Sequence, residues 1–187
     1  MISSVTKKKV KQFQDFLMNL DGTFANLNVS ITMKERLKSL IGESNSKIVL
    51  PVVSHSSGSI IGLINYEKND QTYVESVIWL DSEGWPKCIF ANNFDSFLKL
   101  LPYGTENIYD MIASILFWSE NPNESKDPKD KFKNDFLLNI LKERKNNIKH
   151  QFAYLEWLSN IMQLKTDDNP LITVQDAIKK YSSLNID

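Results

Sequence analysis

The chain has 187 residues, of which 42% are hydrophobic and 11% aromatic, and its formal net charge is −1. That length holds one domain, or one domain with an appendage, and the composition suits a buried core rather than a disordered chain. Near-neutral charge gives no bulk argument for a nucleic acid or an anionic membrane as partner, and the single cysteine, Cys88, excludes an internal disulfide or a zinc site built on several thiolates.

The N-terminal stretch MISSVTKKKVKQFQDFLMNL has lysines but no long apolar run after them, so it does not read as a secretory signal. No window approaches the roughly 18 apolar residues of a membrane span, and the chain reads as cytoplasmic with no membrane partner. Val10, Phe13, Leu17 and Leu20 follow helical spacing and predict an amphipathic helix over 6–20, stopped by Asp21-Gly22. Thr32 with Glu35 three residues on predicts a capping box for a second helix, which Gly42 ends. The period then changes. KIVLPVV (47–53) and SIIGLINY (59–66) read as strands separated by the small residues Ser54–Gly58, and Glu67–Asp70 reads as a hairpin turn. TYVESVIWL (72–80) has the unbroken β-branched and aromatic run of a central strand. Asp81-Ser82-Glu83-Gly84 suits a type I turn, with Asp first and Gly fourth, and KCIFA (87–91) follows as the next strand. Short turns between consecutive strands favour an antiparallel meander.

Helices are predicted from there to the end. Asn92-Asn93 offers a cap for a helix presenting Phe94, Phe97, Leu98 and Leu101, which Pro102 stops. Ile108, Met111, Ile112, Ile115 and Leu116 mark the next. After the polar linker 121–126, Asp127-Pro128 opens a helix burying Phe132, Phe136, Leu137, Ile140 and Leu141. Phe152, Leu155, Leu158, Ile161 and Met162 mark another, and Thr173 with Asp176 starts the last, with Val174, Ala177, Ile178 and Tyr181 inside. The expected fold class is α+β: a mainly antiparallel sheet of four or more strands flanked by helices, with an all-helical C-terminal region. The expected organisation is an α+β domain over 1–120 and a helical extension over 121–187 packed on it.

Charge is unevenly spread. Residues 1–50 carry eight basic and four acidic side chains, a net of +4, whereas residues 65–110 carry eight acidic and three basic, a net of −5. The middle of the chain is an acidic surface suited to a basic partner, or simply a set of solvated hairpin ends. Lys7, Lys8, Lys9 and Lys11 read as a solubilising face at a terminus, with no direct nucleic-acid role. His55 and His150 fall on different elements with no metal motif around them, so neither metal nor cofactor is expected. Cys88 with His55 and an acid such as Asp81 could in principle form a nucleophilic triad, but Cys88 lies in a predicted strand, without the Gly-rich elbow or helix N-terminus that would activate it, and reads as a buried structural cysteine. Asp81, Glu83 and Glu75 read as turn and strand acids rather than an acid–base pair. Trp85, between Gly84 and Pro86, is the aromatic that packing explains least: a tryptophan held at a loop beside acids suits an interface anchor, and equally one folded back over the sheet edge.

Three features of residues 49–101 occur together: LPVVSHSSG leading into a strand, IWLDSEGWPKCIFANNF as strand, acidic turn and strand, and FDSFLKLL as a short F-x-x-F-L helix. This block resembles the SMI1/KNR4 family of the SUKH superfamily. The family's opening L-P-x-x-Y-x-x-F-L segment has no counterpart, the nearest stretch being TMKERLKSLIG (32–42), and the helices after residue 121 exceed the usual domain. The resemblance implies an extended member whose 1–120 domain is α+β. It also implies a non-enzymatic bacterial immunity protein that binds and neutralises a cognate toxin, such as a nuclease. No catalytic residue carries over. Asp81, Glu83 and Trp85, with Glu67 and Asp70, are the expected partner-binding residues. The alternative is a small-ligand or regulatory scaffold of the same fold.

Overall fold

The computed structural model describes residues 2–68, 71–120 and 148–181. The predicted helix 127–141 and the site residue Asp70 lie outside them. The chain is α+β. Its elements run α1 (Ser4–Met18), β1 (Leu27–Asn28), α2 (Met33–Ser46), β2 (Val49–His55), β3 (Ile60–Lys68), β4 (Gln71–Leu80), β5 (Lys87–Ala91) and α3 (Phe94–Leu100). A 3₁₀ turn (Leu101–Tyr103), α4 (Thr105–Glu120), α5 (Gln151–Asn160) and α6 (Pro170–Lys180) complete them. The strands form one five-stranded antiparallel meander in the order β1-β2-β3-β4-β5.

Both faces of this sheet are covered, which is why its strands read as continuous apolar runs rather than alternating ones. Ile61, Leu63, Val77 and Trp79 face the larger core with α1, α3, α4, α5 and α6. Ile60, Ile64, Ile78 and Leu80 face a smaller one with Leu37 and Ile41 of α2 and Tyr181 beyond α6. The helix α6 packs on β5, the last strand of the sheet, and covers an edge that would otherwise be open to pairing. Gly62 allows β2 and β3 to close together: a Cβ there would stand 2.6 Å from Val49 Cγ1 and 3.0 Å from the Leu50 carbonyl oxygen.

Two irregularities in the sheet are tied down by α1. One extra residue in β2, Val52, sits where the pairing steps from Pro51–Gly62 to Val53–Ile61, beside a proline that cannot donate to the ladder. The Val52 carbonyl accepts from Gln14 Nε2 at 2.7 Å. In β4 the pairing shifts between Ile64–Ser76 and Tyr66–Tyr73, and Glu75 takes a left-handed φ of 59°. Its carboxylate accepts from Ser3 N at 2.6 Å and from Thr6 Oγ1, so it caps α1 alongside the Ser3 hydroxyl. Burial pushes the Glu75 carboxyl up, but those hydrogen bonds outweigh it and hold the group below its ordinary value. Lys9, expected on a solvated face, instead bridges to Asp95 in the first turn of α3 at 2.7 Å.

Several local expectations are corrected. Thr32 does not form a capping box. Its backbone is not extended, and its hydroxyl meets Ser30 Oγ at 2.9 Å instead of a helix N–H. Gly42 breaks α2 with φ 76° rather than ending it, and a short helical piece continues to Ser46. The apolar side of α5 is Tyr154, Trp157 and Leu158, not Phe152, Leu155 and Ile161, and Phe152 is 87% exposed. Apolar residues surround most of that helix, so spacing alone fits two faces equally well. The last helix begins at Pro170, behind Asn169, and Thr173 lies within its first turn, donating to Asp167 Oδ2 at 2.6 Å.

Candidate functional site

The site grows from the turn that closes β4 onto β5. Gly84 N donates to the Asp81 carbonyl at 3.1 Å, the i→i+3 bond of the expected turn, and Gly84 supplies its φ of 92°. The Trp85–Pro86 peptide is cis, and Asp81 N donates to the Pro86 carbonyl at 3.1 Å. Trp85 stands 46% exposed and Glu83 is exposed beside it. Asp81 is not part of that surface. It is only 7% exposed, because its carboxylate turns inward to accept from Glu83 N and Ser59 Oγ, both at 2.9 Å. The expectation that Asp81 lies free for a partner is therefore corrected: it organises the turn.

Glu67 is also displaced from the expected site. It pairs with Thr72, while Ile60 pairs with Leu80 at the start of the same strand. Seven residues of strand separate the two, about 23 Å at ordinary rise. An antiparallel hairpin puts its own turn at one end and the next turn at the other, so the expected site residues do not form one patch.

What does converge on the 81–85 turn is a set of groups from β2 and α4. The β2–β3 turn lies beside it, linked by Ser59 Oγ, which bonds Asp81, and by Ser82 Oγ, which donates to the Ser57 carbonyl at 3.0 Å. His55, at the end of β2, accepts through Nδ1 from Ser57 N at 3.2 Å and meets Ser57 Oγ at 2.8 Å. With Nδ1 accepting, the neutral ring carries its proton on Nε2. Burial lowers the His55 pKa against the opposing pull of Glu106 and Asp81, which favours that neutral form.

A cavity of about 400 Å³ opens here. Its aromatic lining is His55, Trp79 and Tyr109, with ring centroids 5.8 Å apart for His55–Trp79 and 5.7 Å for Trp79–Tyr109. Its acidic lining is Asp81 and Glu83 from the turn with Glu106 and Asp110 from α4. Burial raises the Tyr109 hydroxyl, and the charges of Asp81, Glu83 and Asp110 raise it further, so it stays protonated beside them.

Three buried side-chain atoms among the described residues have no hydrogen-bond partner: His55 Nε2, Trp79 Nε1 and Asn92 Oδ1. The first two belong to residues that line this cavity, and both carry N–H groups. An unpaired buried donor costs roughly 1–3 kcal/mol, which makes such a pair uncommon without a purpose. A second cavity of similar size lies on the other side of Glu106, lined by Asn26, Tyr103, Asn107 and Lys149 among others. Among the described residues none of those that line it has an orphaned atom, and Lys149 is there as a cation, its Nζ bonded to the Asp21 carbonyl.

Cys88 is not among the residues that line the first cavity. Cys88 pairs across from Trp79 on β5, and burial pushes its thiol up to about 12, far from a thiolate at neutral pH. His150 lies elsewhere, at the start of α5, its Nε2 at 2.8 Å from the Asp21 carbonyl. Among the described residues no three His, Cys, Asp or Glu side chains are grouped to hold a metal ion, and no helix is long and apolar enough to cross a membrane. Sequence reading placed Trp79 in the core and passed over Glu106, Tyr109 and Asp110. Their i, i+3, i+4 spacing was the available signal, since it sets all three on one helical face. Comparison of the chain with protein-family models, curated proteins and solved structures found no match.

Proposed function

We propose that this chain is a non-enzymatic binding protein of the SMI1/KNR4 kind, a cytoplasmic bacterial immunity protein that binds a cognate toxin and neutralises it. The observation that carries the reading is the end of the sheet at residues 81–85. An exposed tryptophan held between a glycine and a proline stands next to a cavity bordered by carboxylates from two elements. Exposed aromatics held rigid at a loop lose little entropy on docking and make strong anchors. A carboxylate-rich border favours encounter with a basic partner, a nuclease among the natural candidates. The family-like block 49–101 contributes β2 to α3 and therefore includes this turn.

The test is co-expression with toxins encoded beside the gene, followed by calorimetry on any pair that protects the host. A neighbouring toxin is expected to be neutralised by the chain and released by the double variant Glu83→Ala/Trp85→Ala. If no neighbouring toxin is bound, the reading fails. A second reading, a small-ligand scaffold, draws on a cavity of about 400 Å³ lined by His55, Trp79 and Tyr109. A thermal shift produced by an uncharged metabolite, with no toxin bound, would select it.

A further inference from the structure

We draw no further inference here: the strongest candidate, the cavity of about 400 Å³ between the start of α4, the turn before β1 and Lys149, carries nothing, because Lys149 Nζ is already bonded to the Asp21 carbonyl and no described side chain lining it has a buried unpaired atom that would call for a ligand at the helix N-terminus.

Discussion

Two aromatic clusters of this protein use the same materials and finish them differently. Between α1, α5 and the segment before β1, Phe13, Phe16, Phe24, Tyr154 and Trp157 form a seam, with Phe24 stacked on Tyr154 at 4.4 Å and Phe16 on Trp157 at 5.0 Å. Its fully buried hydroxyl, on Tyr154, donates to the Leu98 carbonyl at 2.7 Å. At the end of the sheet Trp79, Tyr109 and His55 make a second cluster, open to a cavity, bordered by carboxylates and holding two donors without acceptors. A buried polar atom that is paired within the chain fixes the fold, while one left unpaired beside an opening is paired by something else or by nothing. The seam is closed within the chain, whereas the pocket is not.

The largest effect should come from breaking the seam. Phe13 touches Phe94, Phe97, Tyr154 and Trp157, so Phe13→Ala is expected to lower unfolding free energy by about 3–5 kcal/mol in a denaturant titration. An effect under about 1 kcal/mol would show the seam collapsing readily and weaken the contrast.

Next is Asp81→Ala, expected to cost roughly 1–3 kcal/mol, since it removes the carboxylate that accepts from Ser59 Oγ and Glu83 N. That result would separate Asp81, a residue that holds the turn, from Glu83 and Trp85, which meet the outside. Tyr154→Phe follows at about 1 kcal/mol, the worth of the bond to Leu98.

Acid should distinguish two regions. The folded His55 pKa is lowered from 6.5, so the unfolded chain binds this proton more readily and stability declines as pH falls below that value; His55→Gln should flatten that slope. The Glu75 carboxyl is held below its model-peptide value of 4.5, so its stabilisation is present above that value and is lost as pH falls through the lower, folded one. Glu75→Gln should therefore remove only the more acidic limb. The smallest effect on stability is expected for Trp85→Ala, within about 0.5 kcal/mol because the residue is 46% exposed. If the proposed function holds, the same variant weakens toxin binding strongly, and a large stability loss would instead assign Trp85 to the fold.

The features legible in the sequence are those held by near neighbours. The strand Lys87–Ala91 lies where its β-rich run was read, Gly84 closes the turn that Asp81 opens, and Asn93 caps α3 through Ser96 N at 2.8 Å. Each depends on residues within a few positions, where backbone preference and one side chain decide the outcome. The two-residue strand β1 escaped, since Leu27 and Asn28 have no period and are strands only because β2 pairs with them. The capping box at Thr32 was legible but absent, its hydroxyl having been taken by Ser30.

By itself, then, the sequence determined the α+β order of elements, the meander with its short turns, and a charge imbalance that makes the middle of the chain acidic. Burial direction along each helix and the meeting of distant groups were decided by tertiary structure. Asp81 turned inward because Ser59 came beside it across the sheet end, and Glu106, Tyr109 and Asp110 became a site only when α4 was laid against His55 and Trp79. Those contacts join residues some 20 to 55 positions apart, so no local preference encodes them, and they follow from the packing of the whole core.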